Sequence, residues 1–212
     1  MQTGFGEPGF EEWEPVGIGA FAERVLSTRP LVVAVDGRSG SGKSTLAGRL
    51  AAAIAGAAVV HGDDVAWNAP MFGWSELLAK GVLEPVRRGE AVSYRPPAWE
   101  EHGRGGAIEV PVDASLVVVE GVGVGRRDLA GLVDVLVWVQ SDLAEAERQG
   151  IARDVASGVN GDAEAAAQFW REWMESEVPF LERDKPWERA DFVIAGTGGG
   201  EAGGGTVHVA RG

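Results

Sequence analysis

The 212-residue chain has no cysteine, one tyrosine and only three histidines. Without cysteine there is no disulfide framework, no thiolate-bound zinc or iron–sulfur centre and no thiol nucleophile. His61, His102 and His208 are too scattered to form a zinc site. Long apolar runs are missing too: the longest, 31–35 and 116–119, have strand length, whereas a membrane span needs roughly 18–20 residues. Residues 1–13 show neither the basic start nor the apolar stretch of a secretory signal. A cytoplasmic protein without a membrane partner is expected. Positive charge is scarce: 19 Lys and Arg against 32 Asp and Glu leave a net charge of -13. Such a surface repels nucleic-acid phosphates, so no polynucleotide partner is expected. Lysine is rarer still, with only Lys43, Lys80 and Lys185.

What is present suits one α/β unit, with 45% hydrophobic residues and enough length to bury a core without staples. Continuous apolar, β-branched runs at 31–36, 57–61, 116–120, 133–139 and 192–195 read as buried parallel strands. Helices are expected over 18–27, 44–55, 71–88, 142–157 and 163–182, with 89–112 rich in loops. Strands alternating with helices give a five-stranded, mainly parallel sheet covered on both faces. Residues 1–17 read as a loose arm, and the glycine runs 198–200 and 203–205 as a flexible linker.

One of the three lysines falls in Gly37-Arg38-Ser39-Gly40-Ser41-Gly42-Lys43-Ser44, between a predicted strand and a predicted helix. Binding a phosphate chain needs several converging backbone N–H groups and a cation at the outer end. Glycines let the backbone curl round the anion, and the following helix directs its positive end at it. Lys43 is placed to reach the terminal phosphates and the Ser44 hydroxyl to hold Mg²⁺. Gly37, Ser39, Gly40, Ser41, Gly42 and Thr45 complete the expected ATP-binding set. The pattern is that of a P-loop nucleotide-binding protein.

Doubly wound sheets bind ligands beyond the carboxyl ends of their strands. Asp63 and Glu120 lie at two of those ends. Transfer of a phosphoryl group to an alcohol needs one acid at the hydroxyl and another at the metal. Asp63 is the candidate for the first role and Glu120 for the second. Asp64 reads as a helix cap, and Asp36, just before Gly37, as structural.

Val35-Asp36-Gly37-Arg38-Ser39-Gly40-Ser41-Gly42-Lys43-Ser44-Thr45-Leu46-Ala47, His61-Gly62-Asp63-Asp64 and Val118-Val119-Glu120-Gly121 together resemble the uridine kinase-like group of P-loop kinases, which includes pantothenate kinase and phosphoribulokinase. The resemblance implies Asp63 as base, Glu120 as an aid to the metal, and a helical lid bearing arginines. Glu147-Arg148-Gln149-Gly150-Ile151-Ala152-Arg153-Asp154 is similar to that lid. Arg148 and Arg153 stand about 140° apart on an ideal helix, so both face the phosphates only if the helix breaks at Gly150. Arg153 is the candidate catalytic clamp and Arg148 a further ATP contact. The implied organisation is one kinase domain over 1–212: arm and short helix 1–29, acceptor region 63–112, lid 142–160 and Gly-rich tail 196–212.

Trp67, Tyr94, Arg95 and Trp99 lie in the acceptor region, where flat rings suit a nucleobase or sugar face. Trp170 and Trp173 read as packing. Two departures concern the acceptor: Val65-Ala66-Trp67 replaces the Phe-Tyr of nucleoside kinases, and Gly150 interrupts the lid. The expected activity is ATP- and Mg²⁺-dependent phosphorylation of a small-molecule hydroxyl, most simply that of a nucleoside such as uridine or cytidine, by a monomer or homodimer. A kinase for another metabolite and a regulatory NTPase without an acceptor remain open. The Asn-Lys-x-Asp motif of GTPases is absent.

Overall fold

The computed structural model describes residues 1–4, 6–196 and 205–211. Its strands are β1 (Trp13–Gly17), β2 (Val32–Gly37), β3 (Ala57–His61), β4 (Val92–Tyr94), β5 (Ile108–Val110), β6 (Leu116–Glu120), β7 (Val135–Gln140), β8 (Phe192–Ala195) and β9 (Thr206–Ala210). Its helices are α1 (Ile18–Leu26), α2 (Lys43–Ala53), α3 (Gly62–Ala66), α4 (Ser75–Leu78), α5 (Glu84–Arg87), α6 (Pro97–Glu101), α7 (Leu143–Ser157) and α8 (Ala163–Asp184). A π-helical segment, Ala79–Leu83, joins α4 to α5.

Seven strands form the main sheet, in the order β1-β9-β8-β7-β2-β6-β3. The five apolar runs of the sequence are its parallel part, with β2 at the centre between β6 and β7. The sheet exceeds the expected five strands because β9 adds antiparallel to β8, and β1 antiparallel to β9. The supposed loose arm therefore supplies an edge strand, and the run after the glycines supplies its partner. The linker at 197–204 lies outside the described residues. The loop-rich stretch 89–112 contains the separate two-stranded β4–β5 sheet and α6.

Alternation along β2 shows why both faces are covered. Successive side chains point to opposite sides of a strand. Val33 and Val35 pack with Phe21 of α1 and Leu46 and Leu50 of α2. Val32 and Ala34 pack on the other side with Val65, Leu78 and Val82. Full burial of each such side chain is worth about 1.5–3 kcal/mol. Parallel pairing brings Gly37, His61, Glu120 and Gln140 to one edge of the sheet. Several candidate site residues of the sequence lie at or next to that edge.

Helices α7 and α8 pair at that edge. The Asp142 carboxylate caps α7 by accepting from the Glu145 amide at 3.2 Å, and Asp162 caps α8 through the Glu164 and Ala165 amides. No break occurs at Gly150: α7 is continuous, and a Cβ there would stand 2.1 Å from the Trp170 ring. That glycine makes room for the neighbouring helix. Among the described residues no helix is long and apolar enough to cross a membrane.

Gly150→Ala should therefore destabilise the protein. Intrinsic helix preference favours alanine by about 1 kcal/mol, but crowding Trp170 costs about 1–3 kcal/mol. Guanidinium-chloride unfolding should show a lower midpoint for the variant than for the parent.

Candidate active site

The turn from β2 into α2 depends on its glycines. Gly40 and Gly42 take φ of 72° and 95°, a region costly for residues with a Cβ. A Cβ on Gly40 would also stand 2.0 Å from the Ala146 carbonyl oxygen of α7. Only glycine allows that helix to rest on the loop. The first turn of α2 begins at Lys43, whose buried ammonium donates to the Arg38 carbonyl at 2.9 Å. Arg38 is buried as well and ion-paired with Glu7 of the N-terminal arm. The arm continues over the site's rim, with Pro8 accepting from the Gln140 amide at 2.8 Å.

Asp36 anchors this loop. Its fully buried carboxylate accepts from the amides of Gly37 at 2.7 Å, Gly123 at 2.8 Å and Gly125 at 2.8 Å. Burial pushes the Asp36 carboxyl up to about 6, against the three amides and the Lys43 ammonium, which favour its charged form. The structural role expected for Asp36 is the one it plays. The bonds tie the start of the phosphate loop to the turn after β6.

Register places the next group. β3 and β6 align His61 with Glu120, so the two side chains stand together, with His61 Nδ1 2.6 Å from Glu120 Oε1. The other Glu120 oxygen accepts from the Ser44 hydroxyl at 3.0 Å. Ser44 and Glu120 thus form a pair of hard oxygen donors beside the loop. Among the described residues no group of three or more His, Cys, Asp or Glu side chains could hold a metal ion. A two-oxygen site fits Mg²⁺, which keeps several waters and completes its shell from substrate phosphates.

A cleft of about 250 Å³ opens over these groups. Asp63, in the first turn of α3, lines it together with Ser39, Lys43, Ser44 and Glu120. Among the described residues the Asp63 carboxylate has no side-chain hydrogen bond or ion pair. Arg153 reaches the opposite side, its guanidinium donating to the buried Asp154 carboxylate at 2.8 Å and 2.9 Å. Arg148 projects elsewhere, exposed and paired with Glu145, as an unbroken α7 requires.

Of the acceptor candidates, Asp63 and Trp67 line the cleft. Tyr94, Arg95 and Trp99 do not. Tyr94 packs on Gly81 and lines a different, larger cavity of about 540 Å³ with Glu76 and Lys80. Arg95 is spent on the carbonyls of Gly106 and Arg104, at 2.7 Å and 2.9 Å. Trp99 is buried; its indole donates to the Asp64 carbonyl at 2.9 Å, and the Arg104 guanidinium stacks 3.8 Å from its ring centroid. Arg104 also pairs with the Asp64 carboxylate. Asp64, Trp99 and Arg104 therefore fix α3, the element that carries Asp63.

The far wall of the cleft comes from α8, whose Phe169, Trp170 and Trp173 were not anticipated as site residues. Trp170 does pack, against Gly150, as well as lining the cleft. The signal was available: positions 169, 170, 173 and 177 share one helical face. Glu177 completes that face and accepts from the Ser39 amide of the phosphate loop at 3.1 Å and 3.3 Å. Nothing in the local sequence pointed to this contact.

The strand order and site location are those of an α/β P-loop nucleotide-binding fold. No protein-family model matches the chain, and no curated protein matches it in sequence. Among solved structures it is similar to that of a possible uridine kinase from Bacillus stearothermophilus, with a TM-score of 0.55 and 20% identity over 83% of this chain and 96% of that one. It is also similar to a candidate fructose transport system kinase from Silicibacter sp. TM1040, with a TM-score of 0.50 and 23% identity over 82% of this chain and 95% of that one. The chain shares the α/β fold of these two solved structures.

Asp36→Ala leaves three buried amides without an acceptor and should lower stability by about 1–3 kcal/mol or more at pH 7. The folded carboxyl titrates near 6, above its ordinary 3.8. The proton-linked part of its contribution is therefore fully present below the lower value and lost as pH rises through the higher one, leaving the three amide contacts. Denaturant melts from pH 4 to 7 should show this fall in the parent and not in the variant.

Proposed function

We propose that the chain transfers the γ-phosphate of ATP, with Mg²⁺, to a hydroxyl of a small molecule, and that a nucleoside is the acceptor class it suits best. The observation that supports this most is the common cleft of Asp63, Lys43 and the Ser44–Glu120 pair. An unpartnered carboxylate opposite an ammonium at a phosphate loop is the arrangement phosphoryl transfer to an alcohol requires.

In this reading the loop amides and Lys43 hold the phosphates, and Asp63 orients the acceptor hydroxyl and takes its proton. Ser44 and Glu120 would hold Mg²⁺, which neutralises charge on the phosphate oxygens. Arg153 stabilises charge that spreads over the transferring group, its geometry steadied by Asp154. Trp67, Phe169 and Trp173 offer flat apolar walls to a ring-bearing acceptor. His61 sets the Glu120 carboxylate in place through their 2.6 Å contact.

ADP release should depend on Mg²⁺ and on an added acceptor when nucleosides, sugars and vitamin alcohols are offered in turn. Stimulation by uridine or cytidine supports the nucleoside reading. Stimulation by a sugar alone overturns the nucleoside reading and leaves the phosphoryl-transfer reading with another acceptor. Asp63→Asn should lower kcat by about 10²–10⁴-fold while ATP affinity stays within a few-fold. Full turnover by that variant removes Asp63 as the base.

A further inference from the structure

Glu177 stands out on α8 because its surroundings do not suit a charge. The residues sharing its helical face are Phe169, Trp170, Trp173, Phe180 and Leu181, and Glu177 itself is 1% exposed. A buried carboxylate is costly unless its oxygens are satisfied. Here both oxygens turn to the Ser39 amide, at 3.1 Å and 3.3 Å, and one also accepts from the Trp173 indole. No cation is ion-paired with it among the described residues.

Ser39 belongs to the loop whose amides are arranged for phosphate. One N–H group has one hydrogen, already shared by the two Glu177 oxygens, and a further acceptor can reach it in line only at their expense. A carboxylate and a phosphate oxygen therefore contend for the same donor, and as like charges at short range they also repel. We infer that Glu177 is the loop's resident anion, occupying the Ser39 amide when no nucleotide is bound and displaced from it by the outer phosphates of a nucleoside triphosphate. The inference rests on the nucleotide-binding reading above and adds to it a residue that reports the phosphates' arrival.

The surrounding contacts give the displacement a route outward. Glu177 is part of α8, and Trp170 of the same helix fills the space over Gly150 of α7. α7 in turn rests its Ala146 carbonyl on Gly40 of the loop and carries Arg153 at the cleft. Withdrawal of the carboxylate shifts α8 against α7, and Arg153 moves with them. The loop amide, Glu177, Trp170 and Arg153 thus form one contiguous set along which the proposed displacement runs.

Glu177→Gln tests the charge with little change in shape, since an amide oxygen still accepts from Ser39. Calorimetric titration with ATP and Mg²⁺ should show binding tightened by about five-fold or more, within the usual range of a coupling between sites. AMP, which lacks the outer phosphates, should bind both proteins alike. In the ¹⁵N spectrum of the parent, the Trp173 indole resonance, identified by its loss in Trp173→Phe, should shift on saturation with ATP and not with AMP. Unchanged or weaker ATP binding by folded Glu177→Gln makes Glu177 a structural buttress and overturns the inference. Should that variant fail to fold, a Trp173 resonance indifferent to saturating ATP overturns it by itself. Failure of the parent to bind ATP, ADP or tripolyphosphate overturns the nucleotide reading and the inference with it. Binding with no difference between the variants removes the inference alone.

Discussion

Three backbone amides from two loops converge on the carboxylate of Asp36, and the geometry of the site follows from that convergence. Gly37 starts the phosphate loop, and Gly123 and Gly125 follow the strand that ends in Glu120. A single buried acceptor thus fixes the anion-binding backbone relative to the carboxylate proposed for the metal. Burial works against the charge that makes Asp36 a good acceptor, so the joint holds only while all three donors are aligned. Sheet register then completes the alignment, because His61 opposite Glu120 and Val35 opposite Glu120 leave no freedom in where the strand tips lie.

The parallel heart of the fold was legible because it is buried on both faces. Strands in that position must be apolar at every residue, and runs such as Leu116-Val117-Val118-Val119 have few other uses. The edge strands were not legible for the opposite reason. Trp13-Glu14-Pro15-Val16-Gly17 mixes charge, proline and glycine, and its partner lies at the other end of the chain. No local pattern encodes a pairing of that kind. The three-residue strands β4 and β5 are too short for an alternating pattern to stand out.

The site divides along similar lines. Residues tied to a strand tip, such as Lys43, Ser44, Asp63 and Glu120, could be named because the ends of parallel strands meet by rule. Trp67 is one turn away from such a tip. Tyr94, Arg95 and Trp99 were drawn in by nearness in sequence, yet the β4–β5 sheet carries Tyr94 to another cavity, and Trp99 turns inward to hold α3 from behind. Arg148 and Arg153 needed only the knowledge that α7 is unbroken, and that depended on a ring from another helix filling the gap at Gly150. Glu177 depended on three-dimensional contact altogether, since an acid on an aromatic helix face looks like a solvated residue until the loop is laid against it.

Pairing β1 with β9 also bears on how the molecule is made. Strand β1 leaves a ribosome well before its partner β9 has been made, so the sheet spends that interval with an open margin beside β8. Charge, proline and glycine in Trp13–Gly17 keep that waiting segment from pairing with itself in another nascent copy. The features that hid this strand from pattern reading are those that protect it before its neighbour arrives.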